Sequence, residues 1–218
     1  MSVRRTARRG SAASVLFLTP WLWLACQSAP PPPQTGGAQS WIDGPTRWLM
    51  LPEEERRARH LHSNKEAVAF IEAFWRRRDS DPAKHGNRLA QAFYQRVDAA
   101  DRLYGEEGVR GSMTDRGRAL ILLGAPPILA YNQKPVPSRE PGHLGSRPPL
   151  RTRRLVLETW TYQEADLTPE LIALLGSEGR QPEVVLVFAV EPKHTTLTDG
   201  GKFLDLAVRA AVHDEGKG

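Results

Sequence analysis

The segment from position 114 to 118 carries side chains that could form a polar site. Thr114 and Asp115 supply a hydroxyl and a carboxylate, and Arg116 and Arg118 supply guanidinium groups on either side of Gly117. In a structural interpretation, Thr114 and Asp115 accept backbone N–H groups, and Gly117 supplies the backbone angles that reverse the chain before a buried strand. In a functional interpretation, Asp115 pairs with Arg116 or Arg118 in a binding site. We favour the structural interpretation, because such residues dominate turns.

A second group with possible chemistry lies around position 160. Trp160 and Tyr162 are two residues apart, so they share one face of a predicted strand. Half-buried strands favour aromatic residues, which indicates a place in the core or covering a sheet rather than a ligand platform. Glu158 is expected to face solvent on this alternating strand. Together with Asp115 and nearby arginines, it defines the alternative, a polar site of an enzyme.

Motifs of known catalytic classes are missing from the sequence. There is no Gly-x-Ser-x-Gly elbow, phosphate-binding loop or dinucleotide fingerprint. No histidine has a metal-ligating partner at helical spacing; the six are His60, His62, His85, His143, His194 and His213. The sequence therefore predicts no catalytic residue, no cofactor and no metal site, and favours a protein that is not an enzyme.

The N-terminus predicts export. Residues 1–25 carry four arginines among the first nine positions and later an apolar run of about eleven residues, which is too short to span a bilayer. They are therefore predicted to be a signal peptide. The following cysteine, Cys26, is the only one in the chain, and Leu24-Ala25-Cys26 resembles the lipobox of bacterial lipoproteins, with Trp23 where leucine is usual. The alternative is a soluble secreted protein with a free thiol.

Residues 26–40 are predicted to be a lipidated tether. Four consecutive prolines favour an extended stem, and the Gly-Gly pair behind them loosens it. By resemblance to lipoproteins, Gln27 after the cysteine implies delivery to the outer membrane, facing the periplasm.

Charge argues against a nucleic-acid partner. The formal net charge is +5, but four of the 30 basic residues lie in the signal peptide, which leaves 26 basic against 25 acidic residues. Residues 134–154 hold six basic residues, one acidic residue and five prolines. We predict a mobile basic loop at about 125–154, either simply solvated or binding an acidic partner.

The remaining chain predicts one α+β domain over residues 41–210, followed by a disordered tail at 211–218. Three N-terminal helices precede a small, mostly antiparallel sheet of about three or four strands. The predicted helices cover residues 52–60, 63–78, 88–104 (with Gly105 as a left-handed cap) and 168–175, and the predicted strands cover 118–123, 155–162 and 183–190.

Several short stretches occur in the order found in the GWxTD domain family, whose members are mostly uncharacterised and often lipid-anchored bacterial proteins. The naming motif reads Gly111-Ser112-Met113-Thr114-Asp115, with serine in place of tryptophan. The other stretches are residues 48–54, 70–71, 74–75, 77–79, 93–97, 114–118, 124–126 and 158–162. The chain therefore resembles this family. We expect a lipid-anchored envelope protein, most simply a non-catalytic binding or scaffolding module. Its expected partners are the membrane, through lipid on Cys26, and an envelope protein or cell-wall glycan.

Overall fold

A computed structural model of the chain describes residues 37–79, 86–139, 150–176 and 181–212, so the signal peptide, Cys26 and most of the tether lie outside the described residues. The helices are α1 (Gly37–Asp43), α2 (Pro52–Ala58), α3 (Asn64–Arg76), α4 (Arg88–Leu103), α5 (Asp115–Leu123), α6 (Pro169–Leu175) and α7 (Gly201–Ala210). The strands are β1 (Ile128–Arg139), β2 (Leu150–Gln163), β3 (Glu183–Val190) and β4 (Thr195–Asp199). Short 3₁₀ helices cover Pro45–Leu49, Gly111–Met113 and Glu164–Asp166. This is the predicted α+β class.

Local caps position the first long helices. Pro52 occupies the first turn of α2, and the Ser63 hydroxyl accepts the N–H of Glu66 at 3.2 Å to begin α3. These two starts confirm the predictions. The predicted left-handed cap at Gly105 is wrong, because α4 ends at Tyr104 with ordinary negative φ and Gly105 has no positive φ either. None of the helices in the described residues is long and apolar enough to span a membrane.

The helix α1 shortens the predicted tether. Residues 37–40, assigned to the tether by their composition, form the first turn of α1. The cause is Trp41, whose buried ring meets Phe74 edge-on at 5.1 Å and whose Nε1 donates to the Tyr94 hydroxyl at 3.2 Å. A short helix has little stability of its own, so this tertiary packing holds α1 in place.

The predicted strand at residues 118–123 is wrong, because these residues belong to α5. Thr114 caps the start of the helix, and Gly124 ends it with a φ of 89°. A short apolar run that is buried on several sides has no distinctive period, so a buried helix and a buried strand look alike in sequence.

The prediction of a mobile basic loop at about 125–154 is also wrong for its described residues, most of which lie in strands. Residues 128–139 pair with residues 150–161 in an antiparallel hairpin formed by β1 and β2. Pro135 and Pro137 are tolerated because β1 is the edge strand, the position at which a sheet accepts residues without an N–H. The tip between the two strands lies outside the described residues.

The sheet is antiparallel with the strand order β1-β2-β3-β4. On β2, Trp160 faces Leu129 of β1 and Leu186 of β3. Since side chains alternate along a strand, Glu158, Trp160 and Tyr162 point to the same face, and all three are buried. The expectation that Glu158 faces solvent is therefore wrong. A residue two positions from a core tryptophan has to share its face.

Candidate functional site

Close contacts between backbones build the Gly111–Met113 segment into the fold. A Cβ at Gly111 would collide with the carbonyl oxygen of Ala100 in α4, and a Cβ at Gly117 would collide with the carbonyl oxygen of Gly111. Neither glycine has a positive φ. The role predicted for Gly117, reversing the chain before a strand, is therefore wrong: it lies in the first turn of α5 and lets two backbones touch.

Ser112 is held through its backbone. Its N–H donates to the Asp101 carboxylate at 2.7 Å, and its carbonyl accepts the Trp48 Nε1–H at 2.8 Å. Burial opposes the ionised carboxylate, but hydrogen bonding from Ser112 and from Arg110, together with the charge of Arg110, holds the pKa of Asp101 below its usual range. The Ser112 hydroxyl is buried and has no partner among the described residues. The side chain at this position thus points into the packed interior rather than into solvent.

Thr114 and Asp115 connect the Gly111–Met113 segment to α5 and β4 through hydrogen bonds. The Thr114 hydroxyl donates to the Gly111 carbonyl at 2.8 Å and accepts the Gly117 N–H at 3.1 Å, which caps α5. The Asp115 carboxylate accepts the Leu197 N–H of β4 at 2.7 Å. Both side chains therefore bond the protein's own backbone, as the structural interpretation expects.

The side chains of the two arginines on α5 contact different parts of the fold. Arg116 lies 3.4 Å from Glu158 and 3.7 Å from Glu106, and its guanidinium stacks over Tyr104 at 5.0 Å. Arg118 instead pairs with Asp205 of α7 at 2.9 Å. Neither arginine forms an ion pair with Asp115, so the site in which Asp115 was to pair with one of them does not form.

Glu158 sits at the centre of a buried polar cluster. One oxygen accepts the Trp160 Nε1–H at 2.6 Å, and the other faces Arg116. Glu106 joins from beyond α4, where it also accepts the Thr195 N–H at 2.9 Å. The cluster borders a polar cavity of about 240 Å³ next to the β3–β4 turn. The contacts of this cluster connect the end of α4 with α5, β2 and β4.

The two aromatic candidates are core residues. Trp160 packs against Phe188 with the ring centroids 5.0 Å apart. Tyr162 donates its hydroxyl proton to the Gly124 carbonyl at 2.9 Å, and burial raises its pKa far above the usual value. Both rings are buried, so neither can offer a face to a ligand.

Comparison with protein families bears on the same segment. Residues 33–136 match the sequence profile of the GWxTD domain. These 104 of the 218 residues form a GWxTD domain. Comparison with curated proteins and with solved structures finds no match. The matched range runs from before α1 into β1. It therefore contains the Gly111–Met113 segment and ends before Glu158 and Trp160.

The GWxTD domain contains a buried ion pair that sequence reasoning missed. Arg78 is fully buried and donates to both oxygens of Glu54, at 3.0 and 2.6 Å, and to the carbonyls of Leu49 and Phe74. Arg77 adds a second contact to Glu54 at 2.5 Å. Two adjacent arginines at the end of a predicted helix are the sequence signal that could have drawn attention to this ion pair. Nothing near them in the sequence indicates that Glu54 is the partner.

Two histidine rings in the described part of the chain lie within bonding distance of other groups of the protein. There, no group of three or more histidine, cysteine, aspartate or glutamate side chains is arranged to hold an ion. The His60 ring bonds the Arg56 carbonyl at 2.7 Å, and the His194 ring pairs with Glu191 at 2.9 Å.

Replacing Thr114 by Ala should lower the free energy of unfolding by about 1 kcal/mol, because α5 loses its cap. Thr114→Ser keeps the hydroxyl and should recover most of that loss. Urea unfolding followed by circular dichroism measures both variants. An equal loss in the serine variant would show that the methyl group, rather than the cap, is what the position requires.

Proposed function

We propose that the protein is a non-catalytic binding or scaffolding module, exported and held on the periplasmic face of the outer membrane by lipid on Cys26. One observation carries the non-catalytic part: the polar side chains of the GWxTD motif bond the protein's own backbone. Thr114 caps α5 and Asp115 bonds Leu197 of β4. A catalytic group needs a free donor or acceptor aimed at a substrate, and these two are already engaged.

The anchor is supported by the order of segments. Ten residues, 27–36, separate Cys26 from α1, and they include four consecutive prolines. An extended chain of that length reaches roughly 33 Å. A domain on such a stem can touch other envelope components while its lipid stays in the membrane.

We place the binding surface on β1. Its outer edge is unpaired in the described sheet, and three large apolar side chains of the strand are exposed within four positions: Ile128 at 44%, Leu129 at 47% and Tyr131 at 61%. Exposed apolar residues on a free strand edge are typical of sites where another chain adds a strand.

The same hairpin carries the basic charge. The pairing of β2 with β3 ends at Val156↔Val190. The β1–β2 residue pairs from Lys134↔Leu155 to Arg139↔Leu150 therefore have no neighbour on β3. These pairs form a two-stranded arm that includes Lys134, Arg153 and Arg154. The partner that fits both features is an extended, acidic segment of another envelope protein, paired with β1 and attracted by the arm.

An enzyme with a polar site around Asp115 and Glu158 is the weaker alternative. Glu158 is only 3% exposed, and both of its oxygens face donors of the protein, Trp160 and Arg116. Only Glu106 and Arg116 of that cluster reach the neighbouring cavity. Replacing Glu158 should therefore destabilise the fold without revealing a reaction.

Replacing Cys26 by Ser should move the protein from the membrane pellet to the soluble fraction and block lipoprotein-type cleavage. Each buried methylene contributes about 0.8 kcal/mol to anchoring, so losing the acyl chains removes the attachment. Fractionation of cells with immunoblotting measures the change, and Ser28→Ala is the matched control that should remain in the pellet. Unchanged pelleting and processing of the Cys26 variant would refute the anchor.

Replacing Tyr131 by Asp should weaken the recovery of a partner about tenfold, the effect of losing roughly 1.4 kcal/mol at an interface. The measurement is affinity capture of the tagged, lipidated protein from envelope extract, quantified by mass spectrometry. Val68→Asp, at another exposed apolar residue on α3, is the matched control and should change nothing.

Two outcomes would contradict the β1 proposal. If both variants recover the same proteins in equal amounts, β1 is not the interface. If Tyr131→Asp leaves protein recovery unchanged but abolishes sedimentation with purified cell wall, the ligand is a glycan rather than a protein.

A further inference from the structure

A second cavity lies on the helical side of the molecule, away from β1. It has a volume of about 400 Å³, within the range of roughly 300 to 1,000 Å³ that is typical of small-molecule sites. Four helices contribute to it, α4, α5, α6 and α7, and its walls are mostly apolar. The apolar wall includes Leu89, Phe93, Leu122, Leu171, Ala207 and Ala210.

Arg96 of α4 brings a positive charge into this apolar cavity. Its Nη1 donates to the carbonyls of Ile121 and Leu122 at the end of α5, at 3.0 and 3.4 Å. Among the described residues, no carboxylate lies within ion-pair distance of its guanidinium, and its Nη2 makes no hydrogen bond. Arg78 and Arg116, which are also largely buried, both face glutamates. Arg96 alone of these three lacks a counterion.

The rest of the polar lining limits the ligand to a single negative charge. Arg88, Asp166 and Glu170 also line the cavity, so these three side chains carry a net charge of about −1, and the total with Arg96 is about zero. The Asp166 carboxylate accepts the Gln163 N–H at 2.9 Å. These carboxylates would repel a doubly charged phosphate more strongly than a single carboxylate, which can pair with the Arg96 guanidinium.

We propose that this cavity binds a long-chain monocarboxylate, a fatty acid, with its carboxylate on Arg96 and its chain along the apolar wall. Burying the acyl chain against the apolar wall supplies the affinity. The guanidinium supplies the specificity for the acid. Burial lowers the pKa of Arg96, and a bound carboxylate offsets that effect by attraction. This site goes beyond the proposed function, which concerns β1, and does not depend on it.

The test uses full-length protein carrying Cys26→Ser, so that no detergent competes for the cavity. Oleate, oleyl alcohol and oleyl phosphate are titrated below their aggregation concentrations, and binding is measured by calorimetry and native mass spectrometry. We expect one oleate per chain, with weaker binding of the alcohol and of the phosphate.

Three variants separate the proposal from alternatives. Arg96→Gln should weaken oleate at least tenfold and leave oleyl alcohol nearly unchanged, which a merely structural defect would not do. Ala92→Trp, at a residue lining the cavity, should block both ligands. Arg102→Gln, on the exposed part of the same helix, is the matched control and should bind like the parent protein.

Several results would overturn the proposal. Equal oleate binding in the parent, Arg96→Gln and Ala92→Trp proteins would mean adventitious binding at the surface. Equal loss of oleate and oleyl alcohol in Arg96→Gln would mean that Arg96 only supports α5. Oleyl phosphate binding more tightly than oleate would assign the site to a phosphorylated ligand. Absence of binding by the parent protein would remove the site altogether.

Discussion

Replacing Glu54 by Ala should lower the free energy of unfolding by about 3 to 5 kcal/mol, the usual cost of breaking a buried ion pair from one side. The variant leaves Arg78 fully buried with only the Leu49 and Phe74 carbonyls to accept its hydrogen bonds. An uncompensated charge in the interior costs far more than the lost attraction between two exposed groups. Chemical unfolding in urea measures the loss.

A neighbouring pair on the same helix provides the control. Glu55 and Arg59 lie 2.8 Å apart, but their side chains are 41% and 67% exposed. Removing Glu55 should change stability by no more than about 0.5 kcal/mol, because solvent screens exposed ion pairs. Similar losses in the Glu54 and Glu55 variants would show that burial of the Glu54 pair does not matter to the fold.

The Glu54 pair also predicts how stability responds to acid. Burial alone would raise the pKa of Glu54, but hydrogen bonds and attraction from Arg78, the Leu51 N–H and Arg77 together lower it below 4.5. A carboxyl whose pKa is lower in the folded state stabilises the fold at pH values above its unfolded pKa. That contribution is lost as the pH falls through the folded pKa. Below about pH 4.5, the parent protein should therefore lose stability faster than the Glu54→Ala variant.

Features governed by neighbours along the chain could be predicted from the sequence. Ser63 and Thr168 cap the helices they were expected to begin, because capping involves residues only three positions apart. The strand β3 has the predicted bounds of residues 183–190, since its run of apolar residues continues without a break from 184 to 190. The α+β class followed from the order of such segments.

Features governed by distant contacts could not be predicted. Residues 128–139 look like a proline-rich loop, and they become a strand only because β2 offers a pairing partner across the hairpin. Glu54 and Arg78 are 24 positions apart, and nothing near either residue indicates the other. The apolar run of α5 fits a strand equally well until its two ends are seen to be capped.

In the candidate site, too, local contacts could be predicted from the sequence and distant ones could not. Thr114 and Asp115 were expected to accept backbone N–H groups, and they do, but the partner of Asp115 is Leu197, which no local pattern indicates. The burial of Glu158 could have been predicted, since its spacing from Trp160 requires a shared face. Gly111 is the residue whose role was hardest to predict, because close approach of two backbones leaves no periodic signal.

Replacing Gly111 by Ala should destabilise the protein by about 3 kcal/mol or more, at the upper end for overpacking a filled interior. The new Cβ would collide with the Ala100 carbonyl oxygen and lie 2.9 Å from the Asp101 Cα. These are backbone atoms of α4, which cannot rotate away as a side chain can. The Gly111–Met113 segment would have to move outward, which would break the hydrogen bonds from the Ser112 N–H to Asp101 and from Trp48 to the Ser112 carbonyl.

Gly105 is the matched control for close approach, because a Cβ there meets only the Asp101 carbonyl oxygen at an ordinary 3.8 Å and its φ is not positive. Gly105→Ala should leave stability unchanged or raise it by about 0.4 to 1 kcal/mol, since the unfolded chain loses freedom. Thermal unfolding of both variants compares them directly. If Gly111→Ala is as stable as Gly105→Ala, the contact with α4 is not required, and the glycine of the GWxTD motif would need an explanation other than packing.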